Sequence, residues 1–73
     1  MIAVGDFLTQ DQAKEACRLW ALHGSGKAFV DAVTDTIIAP NLDEINRKLG
    51  QENNARFLAY AVEHVLTQAS NGQ

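Results

Sequence analysis

Apolar residues recur at helical spacing in four stretches of this sequence, and glycine or proline separates each stretch from the next. An apolar position every three or four residues buries one side of a helix, whereas a strand would need alternate positions. The breaks fall at Gly24, Pro40 and Gly50. Glycine ends helices by taking up positive backbone angles, and proline disfavours helical angles in the residue before it. The pattern predicts an all-α fold, a small bundle of three long helices plus one short helix.

The first predicted helix begins with a capping box. Thr9 supplies the hydroxyl at the cap, and Gln12 supplies a side-chain amide three residues later. These two groups bond reciprocally to free backbone N–H groups at a helix start. The apolar stripe that follows consists of Ala13, Ala16, Cys17 and Trp20. We therefore expect Cys17 to face the core as a buried, unreactive thiol.

The other three helices are placed by similar signals. We expect the second over residues 25–39, the short third over 42–49 and the fourth over 54–69. Asn41 and Asn53 precede the third and fourth helices and are predicted as their caps, because asparagine side chains accept bonds from free N–H groups there.

The stripes together define a predicted core and a domain layout. The predicted core residues are Phe7, Ala13, Ala16, Cys17, Trp20, Phe29, Val33, Ile37, Leu42, Ile45, Leu49, Leu58, Ala61, Val62 and Val65. The apolar residues expected outside the stripes are Leu19, Leu22 and Ile38. We expect residues 1–8 to form an N-terminal apolar arm, 9–69 a single helical domain and 70–73 a frayed tail. The arm either packs over the bundle or pairs across a homodimer.

The composition argues against several classes of protein. The chain has 73 residues, six basic and nine acidic, with a net charge of −3. Nucleic-acid binding is disfavoured because phosphate contacts need concentrated positive charge. The face carrying Asp31 and Asp35 is expected to be solvated. One cysteine allows no internal disulfide, and no signal-peptide or membrane-span pattern is visible, so we expect a cytoplasmic protein.

The sequence offers no convincing catalytic, metal or cofactor site. Residues 23–27, His-Gly-Ser-Gly-Lys, resemble part of a phosphate-binding loop, but a helix precedes them and Ala28 replaces the required Ser or Thr. We interpret them as a turn between helices. Cys17, His23 and His64 are too widely spaced to predict a zinc site. We therefore expect a protein that is not an enzyme and needs no cofactor or metal.

A helix-turn-helix over residues 42–60 is the alternative functional interpretation. A short helix, the central Gly50 and a second helix fit that motif. The residues that depart from it are Asn46, Gln51 and Arg56, where small or apolar side chains are usual. A DNA-binding regulator of this kind would present Asn53, Asn54 and Arg56 to base edges.

The leading hypothesis concerns the outward side of the fourth helix. Phe57, Tyr60 and His64 recur there at helical spacing, with Arg56 beside them. Tyrosine and arginine are enriched among the residues that dominate binding energy at protein interfaces. The sequence therefore predicts a small non-enzymatic module or regulator, of phage or bacterial type, that docks on a larger protein through these four residues. A homodimer is the other occupant considered for this surface.

Overall fold

The computed structural model describes residues 4–71, and every regular element in that range is helical. This confirms the all-α prediction. The elements in chain order are a 3-10 turn (Val4–Asp6), α1 (Gln10–His23), α2 (Lys27–Val33), a π-helical segment (Thr34–Ile38), a 3-10 turn (Ala39–Asn41), α3 (Leu42–Leu49) and α4 (Ala55–Asn71). Only α1 and α4 are long α-helices, so the predicted count of three long helices and one short helix is not matched.

Helix α1 begins and ends where its sequence signals predict. The backbone N–H of Gln12 donates to Thr9 Oγ1 at 3.1 Å, and the backbone N–H of Thr9 donates to Gln12 Oε1 at 2.9 Å. The helix ends at His23, and Gly24 follows with φ +73°. That positive φ favours glycine because other residues would meet steric strain from Cβ. The capping box and the glycine stop are both confirmed.

The prediction that Pro40 ends the second helix is wrong. From α2 the chain continues through the π-helical segment and a 3-10 turn directly into α3, and Ala39 keeps helical angles of φ −60° and ψ −42°. Proline is tolerated here because it lies in the first turn of the new helical piece, where its missing N–H costs little. The Asn41 side chain donates to Ile37 O at 2.7 Å and makes no cap bond to α3, so the predicted capping role of Asn41 is also wrong.

The inward face of α1 is rotated from the predicted one. Cys17 is exposed, whereas Leu19 is only 5% exposed and Ala16 is buried. Burying a leucine side chain contributes about 1.5–3 kcal/mol, so the helix turns the larger group inward. Trp20 lies half-buried beside this face, with its ring edge-on to Phe29 at 5.2 Å between centroids.

Helix α2 and the π-helical segment form the centre of the core. They pack against both α1 and α4, so they bury a wider face than a helix with one neighbour. This explains why Ile38, predicted to face outward, is completely buried. The buried residues that the sequence did not place in the core are Leu8, Leu19, Val30, Thr34, Ile38 and Ala59. The predicted core residues that are only half-buried are Ala13, Trp20, Leu42, Leu49, Ala61 and Val65.

Both ends of the described chain join the helical body. Phe7 and Leu8 are buried in the core, and the Val4–Asp6 turn before them packs on α1 and α4. The start of the chain is therefore not a separate arm from Val4 onward. Residues 1–3 of the predicted arm and 72–73 of the predicted tail lie outside the described residues. Ser70 and Asn71, the other two tail residues, continue helix α4.

The turn between α3 and α4 is held by an asparagine pair. Gly50 ends α3 with a left-handed backbone, as predicted. The backbone N–H of Asn53 donates to Asn46 Oδ1 at 3.0 Å, and Asn46 Nδ2 donates back to Asn53 O at 3.2 Å. The cap of α4 is Asn54, whose Oδ1 accepts from the backbone N–H of Phe57 at 2.9 Å. The predicted cap, Asn53, was one residue too early because its backbone is bonded to Asn46.

Replacing Asn46 with alanine is expected to destabilise the protein by about 1–2 kcal/mol, because two backbone groups of Asn53 lose their partner in a partly buried turn. Urea unfolding followed by circular dichroism measures the change. Lys48→Ala on the same helix, at an exposed position, should shift stability by less than about 0.5 kcal/mol. Equal stabilities for the two variants would show that the Asn46–Asn53 pair does not hold this turn.

Candidate protein-docking surface

The four predicted site residues lie together on the solvent side of α4. Phe57 is 53% exposed and Tyr60 is 50% exposed, and Arg56 and His64 are also exposed. The opposite side of the same turns packs into the core. This division follows from spacing: positions three, four and seven apart share one helix face. We refer to Arg56, Phe57, Tyr60 and His64 as the docking stripe.

The docking stripe contains two exposed large hydrophobic residues, Phe57 and Tyr60. The one other exposed large hydrophobic residue among residues 5–70 is Leu22 on α1, at 67%. The exposed half of each aromatic ring gains nothing from the hydrophobic effect in the isolated chain. Their exposure is therefore not explained by the stability of the fold.

A salt-bridge cluster ties the docking stripe to α2. Arg56 Nη1 donates to Asp31 Oδ1 at 2.8 Å, and Lys27 Nζ donates to Asp31 Oδ2 at 2.8 Å. Asp31 is partly exposed and bonds to both cations, so it is not only solvated as expected, whereas Asp35 is exposed as predicted. We refer to these three residues as the Lys27–Asp31–Arg56 cluster.

Part of this cluster had a signal in the sequence. Lys27 and Asp31 are four residues apart, a spacing that brings opposite charges together on a helix. The pairing of Asp31 with Arg56 joins two helices across 25 positions of sequence, and no local pattern indicates it.

The guanidinium of Arg56 also stacks on Tyr60. Its Cζ lies 5.9 Å from the centroid of the Tyr60 ring, within the range of a cation–π contact. Arg56 is thus held by Asp31 from α2 and by the ring one turn along its own helix. A long side chain that is already ordered loses less entropy when a partner binds to it.

The cluster lowers the pKa of Asp31. The hydrogen bond from Lys27 is the larger cause, and the bond from Arg56 is the next. Because the folded-state pKa lies below the unfolded value, the stability that this carboxylate contributes is present above the unfolded pKa. That contribution is lost as the pH falls through the lowered folded pKa. Near neutral pH, Asp31 is therefore ionised and holds both cations.

Removing Lys27 is expected to raise the pKa of Asp31 toward its ordinary value. Lys27→Gln takes away the principal hydrogen bond to the carboxylate, and Arg56→Gln should produce a smaller rise. The pKa can be followed through the carboxyl carbon signal of Asp31 in an NMR titration. Lys48→Gln is the control, because this cation lies outside the cluster. An unchanged titration in the Lys27 variant would contradict the ion pairing.

The side chains that a DNA-binding helix would present to bases are engaged within the protein. The Asn53 side chain donates to Asn46, and the Asn54 side chain caps α4. These two bonds would have to break before either amide could read a base edge with both of its polar atoms. Arg56 is bonded to Asp31. The DNA-binding alternative therefore gains no support from the geometry of this region.

The described residues do not assemble a metal-binding cluster. Within residues 4–71, no three His, Cys, Asp or Glu side chains approach closely enough to hold a metal ion. Cys17, on the outside of α1, is a free thiol. The junction of the π-helical segment and α3 carries an open groove of about 410 Å³, lined by residues 39–44 and Arg47. Its charged lining residues are Asp43, Glu44 and Arg47, and Arg47 Nη1 pairs with Glu44 Oε1 at 2.6 Å.

Two further observations bear on what the chain can be. No helix within residues 4–71 has the length and apolar content that crossing a membrane requires. Compared with known proteins, the chain matches no family model, no curated protein and no solved structure.

Proposed function

We propose that this protein is a small non-catalytic binding module that docks on a larger protein through the docking stripe. The observation that carries the proposal is the pair Phe57 and Tyr60, two neighbouring aromatic side chains on α4, each about half exposed. Aromatic side chains supply a large contact area for few rotatable bonds. They are therefore effective anchors at protein interfaces.

The ordering of Arg56 supports the same function. Arginine and tyrosine are enriched among the residues that contribute most to binding. Here the two stack on each other, and Asp31 fixes the guanidinium from a neighbouring helix. A partner would meet a surface that is already arranged. We propose that such a module acts in the cytoplasm as a regulator of phage or bacterial type.

Site-specific photo-crosslinking in the source cells tests the proposal. A benzoylphenylalanine at position 64, at the end of the docking stripe, is expected to capture one protein in high yield. The same group at position 14, an exposed site on α1, is the matched control and should not capture it. Mass spectrometry identifies the product. If position 64 captures nothing beyond what position 14 captures, the docking stripe is not the binding surface.

The crosslinking experiment also separates the other occupants. A crosslinked product with twice the mass of the chain would show that the docking stripe binds a second copy of the chain and not a different protein. Fluorescence anisotropy with labelled duplex DNA tests the helix-turn-helix alternative, whose affinity should fall steeply with added salt because phosphate contacts release counterions. Tight, salt-sensitive binding that needs Arg56 would favour that alternative over the docking module.

A further inference from the structure

We infer that the docking stripe recognises an acidic segment of its partner, in which a carboxylate meets Arg56 and a neighbouring apolar side chain meets Phe57 and Tyr60. This inference rests on the proposed function and adds the chemistry of the partner. Asp31 is a positioning residue, because it bonds to Arg56 but lies on α2, outside the docking stripe.

The charge of the Lys27–Asp31–Arg56 cluster carries the inference. Two cations share one carboxylate, so the cluster itself has a net charge of +1. The ion pairs Arg18–Glu15 and Arg47–Glu44, in contrast, each match one cation with one anion. A local positive excess on a chain of net charge −3 is a feature that a partner carboxylate can use.

Arginine is suited to this recognition. A guanidinium has five N–H donors in a planar fork that matches a carboxylate. Nη1 of Arg56 donates to Asp31, Tyr60 is a further side-chain partner of the guanidinium, and the Arg56 side chain is 47% exposed. Donors therefore remain for a second carboxylate, directly beside the aromatic rings of the docking stripe.

The acidic residue farther along α4 indicates which end of the docking stripe the partner carboxylate contacts. Glu63 follows Arg56 by seven residues on α4, about 10 Å along the helix axis. This separation exceeds the screening length of about 8 Å at physiological salt. The partner carboxylate is thus expected at the Arg56 end of the docking stripe and away from Glu63.

The same charges disfavour a second copy as the occupant. In a two-fold interface each copy presents the same patch to the other. The positive clusters of two copies would then share one small interface, with no surplus of carboxylates on the docking stripe to offset them. A protein segment that supplies acidic residues fits this surface better than the chain itself does.

Selection from a random peptide library displayed on phage tests the inference with a defined probe. The immobilised 73-residue chain is expected to enrich peptides in which Asp or Glu lies beside an aromatic or aliphatic residue. For an enriched peptide, changing the acid to its amide should weaken binding about tenfold, as expected for a lost charge-assisted hydrogen bond. Against the Arg56→Gln protein, the difference between the acidic peptide and its amide form should disappear. Lys48→Gln is the matched control and should keep it.

The outcomes separate this inference from the proposed function. Suppose that the enriched peptides are neutral or basic and their binding still requires Phe57 and Tyr60. The inference of an acidic partner would then be wrong, and the docking stripe would remain the binding surface. An acid preference that survives Arg56→Gln would likewise overturn the inference. If no enriched peptide depends on Phe57 or Tyr60, the docking stripe itself is wrong, and the inference fails with it.

Discussion

Replacing Phe29 with alanine is expected to leave the protein largely unfolded at room temperature. The Phe29 side chain is completely buried and meets the Trp20 ring edge-on. Truncating a buried phenylalanine to alanine costs about 3–5 kcal/mol, through lost burial and the cavity left behind. A core in a domain of fewer than about 70–80 residues rarely supplies more than about 3–5 kcal/mol in total. Far-ultraviolet circular dichroism at 25 °C, with a urea titration, measures the loss.

The same substitution at Phe57 is the matched control. Phe57 is about half exposed, so Phe57→Ala removes an identical group from the surface and should change stability by less than about 1 kcal/mol. A folded, cooperative Phe29→Ala variant with near-normal stability would show that α2 is not the centre of the core. A large loss from Phe57→Ala would show that this ring packs against the body of the protein, so it could not serve as a free anchor.

The features that could be predicted from sequence are those decided within a few residues. The Thr9–Gln12 capping box closes over three positions, and Gly24 and Gly50 each end a helix through their own backbone angles. Such contacts depend little on the rest of the fold. For this reason the start of α1 and the C-terminal ends of α1 and α3 were predicted correctly.

The features that could not be predicted depend on neighbours far away in sequence. Apolar spacing on α1 allows either Cys17 or Leu19 to face inward, and the packing of α2 decides between them. Ile38 is buried because helices lie on two sides of its segment. Continuity through Pro40 depends on a π-helical turn, and the hydropathy pattern does not distinguish that turn from a helix end.

The candidate site divides in the same way. The exposure of Phe57 and Tyr60 follows from the apolar stripe on the opposite side of α4, which the sequence shows directly. The bond between Asp31 and Arg56 joins two helices, so only the folded chain reveals it. The exposure of each residue could thus be predicted from the sequence, whereas the pairing of Asp31 with Arg56 could not.

Once the partner is identified, Phe57→Ala and Tyr60→Ala are each expected to weaken its binding by about 2 kcal/mol, or about 30-fold, the size of effect typical of central interface residues. Both side chains are about half exposed, so neither substitution should unfold the protein. Isothermal titration calorimetry measures the affinities, and thermal unfolding of each variant checks the fold. Leu22→Ala is the control, since it removes an exposed apolar group from α1 instead of the docking stripe.

The two single variants are expected to differ in their effect on charge preference. Phe57 and Tyr60 are three residues apart on one helix face, so their effects on binding are coupled and need not add. Phe57 also lies next to Arg56, whose guanidinium stacks on Tyr60; removing the tyrosine ring frees Arg56 on one side, while removing Phe57 does not. Tyr60→Ala should therefore lower the preference for acidic partners as well as the affinity, whereas Phe57→Ala should lower the affinity alone. Equal effects on charge preference would mean that the Arg56–Tyr60 contact takes no part in recognition, and unchanged affinities in both variants would remove the docking stripe from the binding surface.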